Sequence, residues 1–431
     1  MILTILVAFG TPAWANHEVI QHPSGATVIL DYQPHKEVSA TELWLRAGAA
    51  FEHDEEHGMA HFLEHAVFKG TESFAVGEIE ARVEGFGGRL NAATSKDFVY
   101  YFITAANSFA PQSLEILGEM VLKPTLESAE IAREKPVVEE EIRRSQDNPY
   151  GRQFEEMARQ LYRGHPYGRN ILGTVESVNA FAPDDLAAFH QRLYHPANLA
   201  IVVVGGFDRA EVLSKIDEML VSRTANSFRK ARALPDRMSP LYRPVSVDLY
   251  DQGVQTPSLL VGYRAVSQTH TQAPALAVLG EMLSGGVNAV LYTDFVENGI
   301  LHRAFGGFSP AVAGGAFYLG ASWDEEKYDS AEVRELIYHR LEALYAQLLR
   351  GDVDRLVESA RNRLQGREVF SRQRVSQIAS SLGRSFIADD LDNHGNKWEQ
   401  LEQVQPRDVA KALRQYLLRP AYVAVTLRGP Q

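Results

Sequence analysis

The chain has 431 residues, and 55 acidic against 43 basic side chains leave a net charge of −12, a balance that argues against a nucleic-acid-binding surface or a basic membrane patch. It contains no cysteine, so disulfides and thiolate metal sites are excluded and any metal must be held by His, Asp or Glu. With 45% hydrophobic and 23% charged residues it reads as a globular protein too long for one ordinary core, which predicts two domains.

The N-terminal stretch MILTILVAFGTPAWAN has an apolar run from Ile2 to Gly10 followed by Ala13-Trp14-Ala15, the pattern of a signal-peptide core and a small-x-small cleavage site over residues 1–15. It lacks the Lys or Arg expected before the run, and an ordinary first strand is the alternative. Export would give a periplasmic or secreted chain from about Asn16. No other stretch has the length of a membrane span.

Periodicity then predicts strands at about 26–32, 40–47, 98–104 and 199–206, with helices at about 57–69, 74–85, 110–121, 128–146 and 184–193. The stretch TANSFRKARALPDRMSP (224–240) is polar, basic and punctuated by proline, as a linker is. After it the order repeats, with strands near 245–250, 257–264, 316–323 and 421–428 and helices near 274–284, 288–297, 329–349, 354–388 and 407–417. Position 40 matches 257 and position 199 matches 421, so the register holds across the halves and implies an internal duplication. The domains expected are 16–223 and 241–431.

Within the first half, HGMAHFLEHAVFKGT (57–71) carries polar groups in an otherwise apolar helix. His61 and His65 are four apart, so their rings share one face at the spacing that lets two imidazoles hold one zinc ion. Glu64 shares that face and could act as a general base without being a ligand. This HxxEH is the inverted form of HExxH. In the second half the matching positions are Val278, Glu281 and Met282, so the fold builds this helix without imidazoles. A third ligand is expected from EKPVVEEEI (134–142), where Glu134 and Glu141 lie two turns apart on one face. Spacing alone does not choose among Glu139, Glu140 and Glu141. Pro136 predicts a kink or a fresh helix start between them. His53 and His57 fall in a polar run that reads as a solvated loop.

HxxEH, GGRLNAATSKDFVYYF (87–102) and EKPVVEEEI resemble, in order and spacing, the inverzincin metallopeptidases typified by pitrilysin, insulin-degrading enzyme and mitochondrial processing peptidase. The resemblance covers nearly the whole chain, in the short two-domain branch. It implies an α/β protein of two duplicated α+β domains, each a mostly antiparallel sheet packed with helices, together forming half of a clamshell. It implies one zinc per chain on His61, His65 and Glu141, with Glu64 as the base and Glu134 supporting the site. It further implies that Asn91 and Ala92 bind an extended peptide on an edge strand, and that His165 is not a ligand. The implied activity is zinc-dependent endopeptidase cleavage of peptides or unfolded segments inside a chamber. A non-catalytic scaffold of the same fold and a zinc hydrolase of non-peptide amides or esters are the alternatives.

The second half departs from the family pattern. Val290 stands where such proteins carry an arginine and His302 where they carry a tyrosine, the pair that steadies the oxyanion. This predicts a homologous partner subunit, lacking HxxEH but carrying that arginine and tyrosine, in a heterodimer. A homodimer using His302 and Arg303 is the alternative.

Overall fold

The computed structural model describes residues 17–221, 241–419 and 421–430; the signal-peptide reading of 1–15 and the linker reading of 224–240 lie outside the described residues. Strands β1 (His17–Gln21), β2 (Thr27–Tyr32), β3 (Val38–Leu45), β4 (Arg89–Thr94), β5 (Val99–Ala106) and β6 (Leu199–Gly205) form one sheet in the order β1-β2-β6-β3-β5-β4. Strands β7 (Val245–Tyr250), β8 (Ser258–Arg264), β9 (Arg303–Ser309), β10 (Ala316–Ser322) and β11 (Val423–Arg428) form a second, ordered β7-β11-β8-β10-β9. In each sheet one pair is parallel, β2 with β6 and β7 with β11, and the remaining pairs are antiparallel. The orders superpose strand for strand once β1 is set aside, which is the duplication read from the sequence.

Strand character follows position. The sequence LAIVVVG of β6 is apolar throughout and every residue is buried, because β6 lies inside a sheet covered on both faces. In β7, on a sheet edge, VSVDLY alternates between half-buried and exposed residues, as a strand with one solvated face does.

Each sheet packs its own helices on one face and borrows a helix for the other. Ile29, Ala40, Trp44, Val202 and Val204 of the first sheet are covered by the helix Val375–Ile387 from the second half. Leu260, Ala316, Val423 and Val425 of the second sheet are covered by Met157 and Leu161 of the helix Pro149–Leu161 from the first half. Gln153 on that helix donates to the backbone oxygens of Ser258 and Val425 at 2.9 and 2.8 Å.

Two expectations change. The span read as one helix at 354–388 is two, Asp354–Ser371 and Val375–Ile387, because the second leaves its own half to cover the other sheet. Of the kink or fresh start expected at Pro136, the fresh start is not found: Ser128–Gln146 runs through it. Proline removes one N–H from the ladder, and the packing of Ile131, Val138 and Ile142 in the core on either side holds the helix together.

Candidate metal centre

The helix Met59–Ala66 begins at Gly58, whose φ of 92° is in the left-handed region. Its apolar residues Met59, Ala60, Phe62, Leu63 and Ala66 are sunk in the first-half core, which leaves His61, Glu64 and His65 on the remaining face. The His61 and His65 rings lie 4.7 Å apart, centre to centre. Against them lies the helix Ser128–Gln146, with Glu134 buried and Glu141 half-exposed.

Nε2 of His61 and Nε2 of His65 each lie 3.6 Å from Oε2 of Glu141. Both separations are too long for hydrogen bonds. They fit two ligands of one tetrahedral ion, which at metal–ligand lengths of about 2.1 Å stand roughly 3.4 Å apart. Ligand atoms of His61, His65 and Glu141 all fall within 4.8 Å of one another. Among the described residues no other group of three such side chains converges in this way. The donor set of two imidazoles and a carboxylate, leaving a position open, is one that zinc takes in catalytic sites. Glu139 instead engages Arg143 and Asn179, and Glu140 lies 3.8 Å from Arg143 and from Arg144.

Burial pushes His61 down to about 4, with the neighbouring charge of His65 acting the same way, so its ring is held neutral as a ligand must be. Burial would also lower His65, but the hydrogen bond and charge of Glu134, joined by the charges of Glu64 and Glu141, outweigh it and raise the ring above its ordinary value. Burial acts upward on Glu134 too, yet its bonds to His65 and Lys69 prevail and hold it low. Glu64 is raised by burial, against a hydrogen bond from Thr94.

Thr94 and Lys69 were not singled out in the sequence. Thr94 ends β4 and its hydroxyl donates to Oε2 of Glu64; Nζ of Lys69 lies 2.8 Å from Oε2 of Glu134. Lys69 carried a signal, since it stands four residues after His65 and could continue the same face. Asn91 and Ala92 lie on β4, at the sheet edge beyond β5, and Asn91 Oδ1 accepts from the Ala92 backbone N–H at 2.9 Å. His57 pairs with the backbone oxygen of Asn170, and His165 is buried with its Nδ1 accepting from the Tyr167 N–H; neither joins the cluster, nor does His53.

In the second half, Val278 and Met282 are fully buried in that domain's core. Glu281, in the place of Glu64, is held by Arg363 at 2.7 Å and by Arg367. An internal ion pair thus stands where the first half gathers metal-binding groups. Val290 is also buried in this core, while His302 is exposed ahead of β9.

Residues 27–175 match the family described as insulinase (peptidase family M16), and residues 180–360 match the peptidase M16 inactive domain. A protein of Mycobacterium leprae named an uncharacterized zinc protease is 26% identical over 417 residues, covering 95% of this chain and 90% of its own. The crystal structure of a protease from Helicobacter pylori superposes with a TM-score of 0.88 at 23% identity, over 96% of this chain and 99% of that one. The periplasmic protease PqqL of Escherichia coli superposes with a TM-score of 0.77 at 19% identity, over 97% of this chain and 48% of PqqL. The two family matches together run through both halves of the duplication, and the chain belongs to the M16 (insulinase) peptidases, inverzincins of the short two-domain branch.

Proposed function

We propose that this chain is a zinc-dependent endopeptidase that cuts peptides or unfolded segments in an enclosed chamber, with one zinc held by His61, His65 and Glu141. The observation that carries the reading is the convergence of those three side chains on one point at separations suited to a shared ion. Zinc held there supplies Lewis acidity, which acidifies water and polarises a carbonyl. Glu64 accepts the proton of the attacking water and returns it to the leaving amine. Thr94 holds that carboxylate in place through its hydroxyl. Glu134 fixes the His65 ring from behind. β4 offers an open edge at Asn91 and Ala92 to which an extended substrate can add by main-chain pairing. A homologous subunit completes the site, and the N-terminal segment directs the chain out of the cytoplasm.

The test is a zinc titration beside a peptide-hydrolysis assay, with simple esters as a comparison. Glu64→Gln should keep zinc and lose hydrolysis, and His65→Ala should lose the metal. Glu141→Ala should lose zinc affinity where Glu139→Ala and Glu140→Ala keep it. Hydrolysis retained by Glu64→Gln, or equal zinc loss in all three glutamate variants, overturns the assignment.

A further inference from the structure

The first N–H groups of a helix have no partner within it and need acceptors from elsewhere. The helix bearing His61 and His65 starts at a glycine with no side-chain cap. Nothing larger fits there: a Cβ on Gly58 would stand 2.7 Å from Gly173 Cα and from the Leu172 carbonyl oxygen. The acceptor arrives instead from Glu52, whose Oε2 takes the N–H of Gly58 at 3.2 Å and whose Oε1 takes that of Ala60 at 2.9 Å. Glu52 is 5% exposed. A buried carboxylate is expensive unless it is fully used, and here both oxygens are. Burial pushes its carboxyl up to about 7, with the N–H groups of Ala60 and Gly58 and the charges of Arg169 and Lys96 opposing.

The residues just before Glu52 are tied to the turn between β4 and β5. Ala49 N–H donates to the Ser95 oxygen at 3.0 Å and Ala50 N–H to the Lys96 oxygen at 2.9 Å. Gly48 makes that approach possible, since a Cβ there would lie 2.5 Å from three backbone atoms of residues 95, 96 and 98. The same hairpin supplies Thr94, which holds Glu64. The contacts close a ring: from Glu64 through Thr94 and the turn to residues 49–50, on to Glu52, and back into the helix start three residues before His61.

We propose that Glu52 is a positioning residue that caps the metal-binding helix and locks His61 and His65 into register with Glu64 and the β4 edge. This rests on the reading of His61, His65 and Glu141 as zinc ligands. The ring sets the helix before metal arrives, so losing the cap costs zinc affinity.

The experiment compares zinc affinity, by chelator competition, in the full chain and in Glu52→Gln, whose amide has one acceptor oxygen for two N–H groups. Zinc should bind about tenfold or more weakly in this variant, the scale seen when groups that orient ligands are lost. Glu55→Gln removes a charge on the same loop, from an exposed residue, and should bind zinc as the unaltered chain does. Wild-type affinity in Glu52→Gln, or an equal loss in Glu55→Gln, overturns the inference and leaves the zinc reading standing. An unaltered chain that binds no zinc overturns both. Hydrogen exchange on the unaltered, metal-free protein decides the matter even if Glu52→Gln does not fold: the Gly58 and Ala60 amides should be protected, and free exchange at both would mean that no cap is set in advance.

Discussion

Glu134 lies against the back of His65, its Oε1 2.9 Å from Nδ1, while Nε2 of the same ring faces Glu141 on the other side. A carboxylate on Nδ1 draws the ring proton to that nitrogen and leaves the Nε2 lone pair for a metal. Both glutamates come from one helix, so its passage through Pro136 without a break is what lets them grip opposite edges of one imidazole. Glu134→Ala should therefore weaken zinc binding by about 10- to 100-fold while leaving His61 and Glu141 in place. Lys69→Met, which removes only the outer partner of Glu134, should cost less. Chelator competition reads both, and unchanged affinity in Glu134→Ala would remove it from the site.

His61, Glu64, His65 and the candidacy of Glu141 were legible because each depends on spacing within a helix. Eight strands were legible for a related reason, since the duplication shows the same order twice; β1, β4 and β9, all at sheet edges, were not read from periodicity. What escaped depends on distant parts of the chain. The helices Pro149–Leu161 and Arg209–Leu220 were not read at all. In the first, PYGRQFEEMARQL offers few apolar residues, and the sheet they cover belongs to the other half. Thr94 reads as one more strand residue until β4 is folded beside Glu64. The boundary between Ser371 and Val375 was missed because 354–388 has no proline to mark it, and what separates the two helices is their different destinations.

Glu42 on β3 is almost fully buried at the seam between the halves, accepting from Trp44 Nε1 at 2.7 Å and from Ser380 Oγ on the borrowed helix at 3.1 Å. Burial pushes its carboxyl up to about 7, with the bonds from Trp44 and Ser380 and the charge of Arg384 opposing. The unfolded chain releases this proton near the ordinary value of 4.5, so between about 4.5 and 7 the folded state binds more protons. Stability from this group is therefore fully present below 4.5 and is lost as pH rises through about 7. Glu42→Gln should flatten that decline. Urea unfolding of metal-free protein between pH 4.5 and 8 measures it, and an identical pH slope in the variant would show that Glu42 does not titrate in this range.

The two borrowed helices meet their sheets at glycines of different tolerance. A Cβ on Gly383 would stand 2.1 Å from Trp44 Cε2, and one on Gly262 would stand 2.4 Å from Met157 Sδ. Trp44 is fully buried and stacked on Tyr100, with ring centres 4.2 Å apart, so it cannot yield. Met157 has an unbranched side chain that can move aside. Gly383→Ala should destabilise the chain by about 1–3 kcal/mol and Gly262→Ala by distinctly less. Denaturant midpoints compare them, and an equal or reversed order would mean that the seam at Trp44 is more yielding than its packing indicates.

The proposal that the active site is divided between subunits rests on what the second half presents. Val290 is 3% exposed and packs in its domain's core, so it fills space and donates no hydrogen bond. His302 gives its backbone N–H to the Ser322 oxygen at 2.8 Å and leaves its side chain exposed. In related peptidases these positions steady the oxyanion, and one lost oxyanion donor costs about 10²–10³ in rate. In PqqL this fold accounts for 48% of a single chain. Mixing the purified protein with a homologue that carries the arginine and tyrosine should raise peptide turnover by about two orders of magnitude or more, with no change in zinc content. Adding His302→Ala separates the alternatives: in a heterodimer it should leave the mixed activity intact, and in a self-sufficient homodimer it should abolish the activity of the chain alone. Full turnover by the chain alone, unchanged by the partner, would end the heterodimer reading and return the clamp to His302 and Arg303.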